Sequence, residues 1–528
     1  MNTVATLNAG PSSASPIAAL LAADGYKQSH RMAYTPGTTA ILINWTNRSN
    51  RFLPDATHAV HFGVQAFCQQ YLNEAWAPFF AAHEDTVATE FEKVLLDYFG
   101  PNDIGSDHIR ALHRKGYLPL VVRSLPEGTL APIGIATVLI ENTDAEFFWL
   151  PNYIETALSA SIWHPTTVAT ISSLYRELVE EWGARTGGDA DGIGFQAHDF
   201  SFRGQHSIDA AAASGAGHLL SFLGTDTMSA LDWISRYYPG ENGWVGASVP
   251  ATEHSVMCLE GRAGELDTFQ RILKVFPEGI VSTVADGFDF WGVLTNLLPQ
   301  MKDQIMARDG KLVIRPDSGD PVDIITGEII VKDQESRAMY EAEKAAGAYG
   351  PADLGAIEVL GDLFGYTVNE RGYKELDSHI GLIYGDSITL ERAKQIFERL
   401  EAKGWASTNV VLGIGSYTFA YLTRDVLGSA VKATWALVNG NPVDIQKDPK
   451  TGSGKKSAKG RLAVLRDETG ELYMVEQATP AQEKQSEIRP VWIDGQFVAA
   501  QSFAEVRSTL EAERAARAER RARDLVQI

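Results

Sequence analysis

Five apolar segments in the middle of the chain each lead directly into a polar turn that contains glycine. The clearest segment starts at Lys311, passes through three apolar residues and ends on Arg315, Asp317 and Gly319. Helical patterns such as 171–182 and 390–403 separate the segments, which predicts alternating parallel strands and helices. Because binding groups collect where parallel strands end, we expect the five turns to form one site. The other four segments are 194–204, 280–287, 382–386 and 410–416.

The two ends of the chain have a different pattern. Strand-like runs at 40–45 and 116–122 come before the alternating region, and others at 431–438, 461–466 and 472–476 follow it. A chain of 528 residues exceeds the size at which a single core stops growing. We therefore predict an α/β protein with a barrel-like domain at 151–429 and a smaller sheet-containing domain built from 1–150 and 430–507.

Two segments are expected to be peripheral. Residues 323–357 begin with a hairpin-like pattern at 324–331 and continue as a charged stretch rich in Ala and Gly, which predicts an insertion in a strand-to-helix connection. The tail at 508–528 is dominated by Ala, Arg and Glu, with Glu513 and Arg517 four residues apart, and predicts a solvent-exposed helix.

Composition narrows the class of protein. Hydrophobic residues make up 45% and charged residues 21% of the chain, as in ordinary globular proteins. The formal charge of -21 argues against a nucleic-acid partner. Two distant cysteines, Cys68 and Cys258, argue against a disulfide scaffold and a zinc ribbon. Because no signal-like start and no run of 18 apolar residues is present, we expect a cytoplasmic protein without a membrane segment.

The strand-end turns carry groups that suit phosphate and ribose, although each has a purely structural alternative. Glycines allow close approach of a ligand but are also common in turns. Aspartates bind hydroxyls or magnesium but also cap helices. Arginines match phosphate oxygens but also form surface ion pairs. The residues concerned are Gly385, Gly413, Gly415, Asp286, Asp317, Asp386, Arg203, Arg315 and Arg424.

One histidine differs from the others. His254 follows Glu253, an acid that we expect to orient its ring and raise its basicity, whereas His198 is predicted to be a core residue. The sequence lacks the HExxH, GxSxG and GxxxxGK[ST] motifs, which excludes zincins, α/β-hydrolases and P-loop proteins.

Seven motifs, in order from about residue 20 to about residue 505, resemble the nicotinate/nicotinamide phosphoribosyltransferase family, and within it the members that use nicotinamide. They lie at 24–30, 198–204, 224–227, 248–255, 314–319, 422–425 and 459–462. The resemblance implies a type II phosphoribosyltransferase fold, an irregular α/β barrel with a smaller sheet domain. It also implies a homodimer with shared active sites. The implied reaction joins nicotinamide to phosphoribosyl pyrophosphate in NAD salvage, with Mg²⁺ and with ATP as a coupled co-substrate.

The resemblance also assigns roles to residues. Phe200 and Tyr26 of the partner subunit would stack on the pyridine ring, while Asp226, Arg203 and Ser282 would contact the carboxamide. The ribose and its 5′-phosphate would meet Asp317, Gly385, Asp386, Gly415, Arg424 and Lys432. The pyrophosphate would meet Arg48, Arg203, His254, Arg315, Lys447 and Lys455. Asp286 and Asp317 would organise magnesium, and His254 would be the residue that ATP phosphorylates.

Two alternatives stay open. The first is a nicotinate phosphoribosyltransferase on the same fold, against which Asp226 argues because its carboxylate attracts an amide N–H and repels a second carboxylate. The second is a non-catalytic nucleotide-binding protein, against which the full set of arginines, acids and His254 argues.

Overall fold

A computed structural model describes the chain over residues 15–187, 192–240, 245–447 and 457–526. The chain divides into two compact units. Unit 1 contains the described parts of Met1–Thr167, Tyr237–Gly240 and Arg424–Ile528, and unit 2 those of Val168–Arg236 and Glu241–Thr423. Unit 1 is thus assembled mainly from the two ends of the chain.

The strands of the described residues are numbered in chain order. They are β1 (Thr38–Asn47), β2 (His58–Val60), β3 (Leu120–Ser124), β4 (Leu130–Pro132), β5 (Ala136–Asn142), β6 (Ala197–Asp199), β7 (Gly224–Thr225), β8 (Glu278–Val284), β9 (Asp309–Arg315), β10 (Tyr366–Val368), β11 (Lys374–Leu376), β12 (Ile380–Tyr384), β13 (Val410–Ile414), β14 (Ser429–Val438), β15 (Asn441–Asp444), β16 (Leu462–Arg466), β17 (Leu472–Glu476), β18 (Arg489–Ile493) and β19 (Gln496–Phe497).

Helices fill the connections between strands. The α-helices are Ala18–Leu21, Lys27–Ala33, Val64–Phe67, Ala77–Ala81, Glu84–Phe99, Asp107–Lys115, Leu150–Tyr153, Glu155–Thr186, Ile208–Leu219, Ser229–Tyr237, His254–Met257, Glu265–Val275, Phe290–Gly292, Leu298–Met306, Pro321–Thr326, Gln334–Ala345, Pro351–Leu354, Ala356–Phe364, Leu390–Ala402, Ser416–Phe419, Pro480–Gln485 and Phe503–Val526. No helix in the described part of the chain has both the length and the apolar character needed to cross a membrane.

Unit 1 is built on an antiparallel sheet in the order β15-β14-β1-β5-β3-β18-β19. The central strand β1 is rich in β-branched and aromatic residues, and its second half is buried without interruption. Its Trp45 packs in a large aromatic core that also contains Trp76, Phe91 and Trp492. This core explains how the two ends of the chain form one stable unit.

Unit 2 is built on a parallel sheet in the order β7-β6-β13-β12-β9-β8. A segment at 247–252, which we call the closing segment, lies between the two edge strands. Its Ala247 forms a parallel bridge with Gly224 of β7, and its Ala251 forms another with Ser282 of β8. The closing segment therefore completes an irregular α/β barrel, and the predicted fold class is confirmed.

One local prediction is wrong, and a second is only partly confirmed. The predicted hairpin at 324–331 is absent from the described structure, where Pro321–Thr326 is an α-helix. Asp320 caps this helix through the Val322 amide and Pro321 occupies its first turn, so local capping overrides the β-branched residues that suggested strands. The charged tail is helical as predicted, as part of Phe503–Val526. It is not fully solvated, because Leu510 and Arg517 are buried and Arg466 forms an ion pair with Glu513.

Candidate functional site

A pocket of about 360 Å³ occupies the interior of the barrel in unit 2. Its walls are mostly apolar because alternate residues of a barrel strand face inward. Two groups of side chains supply the polar part. The first is His198, Asp226 and Ser248 at one end, and the second is Ser282 and Lys311 on the strands. The remaining lining residues are Phe195, Phe200, Ala247, Val249, Ala251, Ile280, Val313, Ile383 and Val411.

Asp226 presents a carboxylate to this pocket. It follows β7, and its amide donates to the Asp199 carbonyl over 3.0 Å. His198 Nε2 lies 3.2 Å from its Oδ1, and the Ser248 hydroxyl donates to the same oxygen. Burial alone would raise the pKa of Asp226, but these two hydrogen bonds and the charges of His198 and Arg315 outweigh it and lower the pKa. Asp226 is therefore an ionised hydrogen-bond acceptor at neutral pH.

Phe200 supplies an aromatic surface beside that carboxylate. Its amide donates to the Ile414 carbonyl of β13 over 2.9 Å, which fixes the backbone at the strand end. Its ring centroid lies 4.6 Å from that of His198 and 5.6 Å from the Arg315 guanidinium carbon. A Cβ on Gly413 would come within 2.9 Å of the Phe200 ring, so the glycine makes room for it.

His254 and Asp286 form a second polar group at the ends of the closing segment and β8. His254 Nε2 lies 3.2 Å from Asp286 Oδ1, and its side chain is 51% exposed while that of Asp286 is 4% exposed. Asp286 Oδ2 accepts from the Asp317 amide over 3.0 Å and from the Ser318 hydroxyl. The carboxylate therefore joins three turns and orients the histidine.

Glu253 does not have the role predicted for it. Its carboxylate accepts from the Ser255 hydroxyl, and the acid that contacts His254 is Asp286. The reason is geometric, because Glu253 has an extended backbone while His254 begins a helical turn. Adjacent side chains at such a junction point in different directions.

Arg315 and Asp317 continue the polar surface from the end of β9. Arg315 is buried and donates to the Thr252 carbonyl over 2.8 Å, and its Nε lies 3.6 Å from Asp317 Oδ1. Burial raises the pKa of Asp317, the charge of Arg315 lowers it, Asp286 raises it, and the net shift is upward. Neither Arg315 Nε nor Asp317 Oδ1 has a hydrogen-bond partner among the described residues. Such atoms are suited to a ligand.

Glycines bring the neighbouring strand ends close to Asp317. A Cβ on Gly385 would lie 2.1 Å from Asp317 Oδ1, so the Asp317 carboxylate can hold this position only while residue 385 is glycine. Ser387, one residue after Asp386, has a φ of 49°, a left-handed conformation that costs a serine roughly 1–3 kcal/mol. Gly415 is buried at the end of β13, whereas Arg203 and Asp386 are exposed.

The predicted magnesium ligands, Asp286 and Asp317, do not form a complete metal site by themselves. No cluster of three or more His, Cys, Asp or Glu side chains able to hold a metal occurs among the described residues. Both oxygens of Asp286 already accept hydrogen bonds, whereas Asp317 Oδ1 does not. Mg²⁺ is commonly held by one or two carboxylates together with substrate phosphates. Asp317 fits that mode of binding.

Four further predicted residues lie in unit 1, around a pocket of about 350 Å³. Its lining includes Tyr26, Arg48, Arg424 and Lys432. The Tyr26 ring is 58% exposed, and its hydroxyl donates to Asp24 Oδ2 over 3.1 Å. Unit 1 therefore brings one exposed aromatic ring and three cations together.

The cations of this pocket repel one another. Burial lowers the pKa of Lys432, and the charges of Arg48, Arg424 and Lys447 lower it further against the opposite effect of Glu155. An anion such as a phosphate would relieve this repulsion. Lys455, predicted to belong to the same group, lies outside the described residues.

Residues 195–489 match the nicotinate phosphoribosyltransferase (NAPRTase) family. The chain is 44% identical over 505 residues to a nicotinamide phosphoribosyltransferase of Acinetobacter baylyi, covering 93% of this chain and 96% of that protein. It is 34% identical over 506 residues to a nicotinamide phosphoribosyltransferase of Xanthomonas campestris pv. campestris, covering 94% and 98%.

The chain belongs to the NAPRTase family. A crystal structure of a nicotinate-nucleotide pyrophosphorylase from Pyrococcus furiosus matches with a TM-score of 0.53 at 12% identity, covering 94% of this chain and 96% of that one. At this identity the match shows the fold alone. The family resemblance predicted from the seven motifs is thus confirmed.

Three polar residues of this NAPRTase-family site were missed by sequence reasoning or placed elsewhere. His198, predicted to be a core residue, lines the pocket and contacts Asp226. Ser248 contacts the same carboxylate, and Ser318 contacts Asp286. All three residues lie inside family motifs, at 198–204, 248–255 and 314–319, and this was the signal for them in the sequence. The resemblance assigned none of the three a role, and the closing segment that contains Ser248 has no strand-like periodicity to indicate its place in the barrel.

Proposed function

We propose that the chain is a nicotinamide phosphoribosyltransferase, which converts nicotinamide and phosphoribosyl pyrophosphate into nicotinamide mononucleotide and pyrophosphate in NAD salvage. The observation that carries the proposal is the ionised Asp226 carboxylate at one end of an otherwise largely apolar pocket. The relatives named nicotinamide phosphoribosyltransferase support it.

The pocket explains how the base would be recognised. The pyridine ring would stack on Phe200, which stands beside Asp226 at the pocket's polar end. Asp226 Oδ1 is occupied by His198 and Ser248, so Oδ2 would accept the carboxamide N–H. A nicotinate carboxylate in the same place would set two anions together, which is unfavourable.

Transfer of the phosphoribosyl group needs positioning and charge neutralisation. The pyridine nitrogen already carries a lone pair, so no general base is required. As the bond between the anomeric carbon and pyrophosphate breaks, the sugar becomes oxocarbenium-like and the leaving group gains charge. Arg315, Arg203 and His254 would neutralise the pyrophosphate, while Asp317 and Asp386 would hold the ribose beside Gly385.

Magnesium would be held mainly by the substrate's own phosphates. Asp317 would contribute the protein ligand because its Oδ1 is buried without a hydrogen-bond partner among the described residues. When bound, the ion would supply additional positive charge to the departing pyrophosphate. Asp286 would affect magnesium binding indirectly, by accepting the hydrogen bond from the Asp317 amide that positions Asp317.

ATP would act through His254. The γ-phosphoryl group would move to the ring nitrogen that does not contact Asp286, forming an N–P bond as the bond to ADP breaks. The phosphohistidine would add negative charge beside the pyrophosphate site and favour binding of magnesium with the substrate. Water would later release phosphate, so each cycle would consume one ATP.

The pocket of unit 1 would complete the active site of the other subunit in a homodimer. Its exposed Tyr26 would cover the second face of the pyridine ring, and Arg424 and Lys432 would bind the 5′-phosphate together with Gly415 of the first subunit. Arg48, Lys447 and Lys455 would extend the cation group toward the pyrophosphate. This arrangement accounts for an aromatic ring left exposed beside clustered cations.

A product assay tests the proposed function. Purified protein is incubated with ¹⁴C-nicotinamide or, in a parallel reaction, with ¹⁴C-nicotinate, together with phosphoribosyl pyrophosphate and Mg²⁺, with and without ATP. The products are separated by chromatography. We expect labelled nicotinamide mononucleotide and an equal amount of pyrophosphate. Product from ¹⁴C-nicotinate alone would support the nicotinate alternative, and binding without product would support a non-catalytic nucleotide-binding protein.

A further inference from the structure

The Asp226 carboxylate depends on two neighbours that have no assigned role. Its side chain is 41% exposed and stands on a turn, so nothing in its own backbone prevents it from rotating toward water. A carboxylate that rotates could turn away from an approaching anion and would discriminate poorly between an amide and an acid. Base selection therefore requires that this side chain be held in place.

His198 and Ser248 supply that restraint from two different elements. His198 reaches the carboxylate from β6, and Ser248 reaches it from the closing segment. Both contact the same oxygen, Oδ1, so that the two bonds also fix the direction of Oδ2. With a single hydrogen bond the carboxylate could still pivot about that bond. Two donors from different elements prevent this rotation.

The His198 ring is itself tightly seated. It is buried, it packs against the Phe200 ring, and it lies beside Gly224. A Cβ on Gly224 would come within 2.7 Å of His198 Nδ1, so the absence of a side chain there lets the ring reach its position. The ring that holds the carboxylate thus also supports the aromatic surface on which the base would stack.

We infer that His198 and Ser248 are positioning residues that determine the preference for nicotinamide over nicotinate by holding Asp226 with Oδ2 toward the base. The inference rests on the proposed function. Neither residue contacts the reacting atoms. Both act through Asp226, and their effect should fall on the choice between the two bases more than on turnover.

The test compares Ser248→Ala and His198→Phe with the wild type. The phenylalanine keeps an aromatic ring against Phe200 but removes the donor. For each protein, kcat and KM are measured with nicotinamide and with nicotinate. We expect each variant to lower the ratio of the two kcat/KM values by about tenfold, the effect of one lost hydrogen bond to a charged group. The loss should come mainly from a higher KM for nicotinamide.

A double-mutant cycle separates positioning from a general structural effect. If Ser248 acts through Asp226, Ser248→Ala should change the ratio little further in an Asp226→Asn protein. Ile383→Val is the matched control, because Ile383 lines the same pocket on β12 but has an apolar side chain that cannot bond to Asp226. Ile383→Val should change kcat/KM for nicotinamide and for nicotinate by similar factors.

The possible results are distinct. A wild-type protein that makes no mononucleotide from nicotinamide would overturn the proposed function itself. Two results with an active wild type would overturn the positioning role alone. In the first, Ser248→Ala keeps the full ratio of the kcat/KM values for the two bases. In the second, Ser248→Ala lowers that ratio equally in the wild type and in the Asp226→Asn protein. Because Ser248 is exposed, its variant should fold even if His198→Phe does not.

Discussion

Asp226 is the residue on which base choice is expected to depend. Asp226→Asn keeps the shape of the side chain but removes its charge. The preference for nicotinamide over nicotinate should narrow by roughly 1–3 kcal/mol, the range for one buried polar mismatch. Competition assays with both bases measure this directly. An unchanged preference would mean that the selectivity resides in other residues of the pocket.

The contact between His254 and Asp286 gives a second prediction. His254→Ala should lose all stimulation by ATP yet retain a slow ATP-independent reaction, because Phe200 and Asp226 are unchanged. After incubation with γ-³²P-ATP, the wild type should carry phosphate that is labile in acid and stable in base, and the variant should carry none.

The variants Asp286→Asn and Glu253→Gln test which of the two acids orients His254. Asp286 contacts the ring and Glu253 contacts Ser255 instead. Phosphate incorporation should therefore fall sharply in Asp286→Asn and stay near the wild-type level in Glu253→Gln. The opposite order would show that the sequence neighbour, not the spatial one, orients His254.

These residues also mark how far the sequence alone could reach. Phe200, Asp226, Arg315 and Asp317 were predicted because family motifs and strand-end positions identified them. The partner of His254 was predicted wrongly because Asp286 is 32 residues away and becomes a neighbour only through the barrel. Long-range contacts of this kind leave no local pattern in a sequence.

Among the elements, the strands of the barrel were predictable and their closure was not. Apolar runs of strand length followed by glycine turns gave the positions of β8, β9, β12 and β13. The closing segment makes only two isolated bridges, so it has no repeating pattern to recognise. At 321–326, a proline preceded by a capping aspartate set a helix where β-branched residues had suggested a hairpin.

Two glycines at neighbouring strand ends should respond differently to alanine. In Gly413→Ala the new Cβ would lie 2.3 Å from the Tyr384 carbonyl oxygen, which is backbone and cannot move away. The free energy of unfolding should fall by roughly 1–3 kcal/mol, the usual cost of overpacking. In Gly385→Ala the clash is with the Asp317 side chain, which can rotate.

Gly385→Ala should therefore fold almost normally but lose activity. Displacing Asp317 should lower kcat/KM for phosphoribosyl pyrophosphate on the order of 100-fold, the scale of a misplaced catalytic contact. Urea unfolding and steady-state kinetics on the two variants would show whether the losses separate in this way. Equal loss of stability in both would contradict a specific role for the close approach of Gly385 to Asp317.

For the whole molecule, the division of site residues between the two units predicts complementation. Tyr26 lies in unit 1 and Asp317 in unit 2. If each active site combines unit 2 of one subunit with unit 1 of the other, a mixed dimer of Tyr26→Ala and Asp317→Ala contains one intact site. Co-expression with two different tags, followed by tandem purification, isolates that dimer.

The mixed dimer should recover activity that neither variant has alone. As a control, a dimer of Tyr26→Ala with the double variant Tyr26→Ala/Asp317→Ala has no intact site and should remain inactive. Failure of the purified mixed dimer to gain activity would contradict active sites shared between subunits, while leaving the chemistry within unit 2 untouched.

The assignment of nicotinamide as the substrate is tested by direct competition in the wild-type protein. Equal concentrations of ¹⁴C-nicotinamide and ³H-nicotinate are supplied with limiting phosphoribosyl pyrophosphate and Mg²⁺, and both mononucleotides are counted as the reaction proceeds. We predict that nearly all product carries ¹⁴C and that one pyrophosphate appears for each nicotinamide mononucleotide. Product that carries mainly ³H would contradict the assignment of Asp226 as the group that selects the amide.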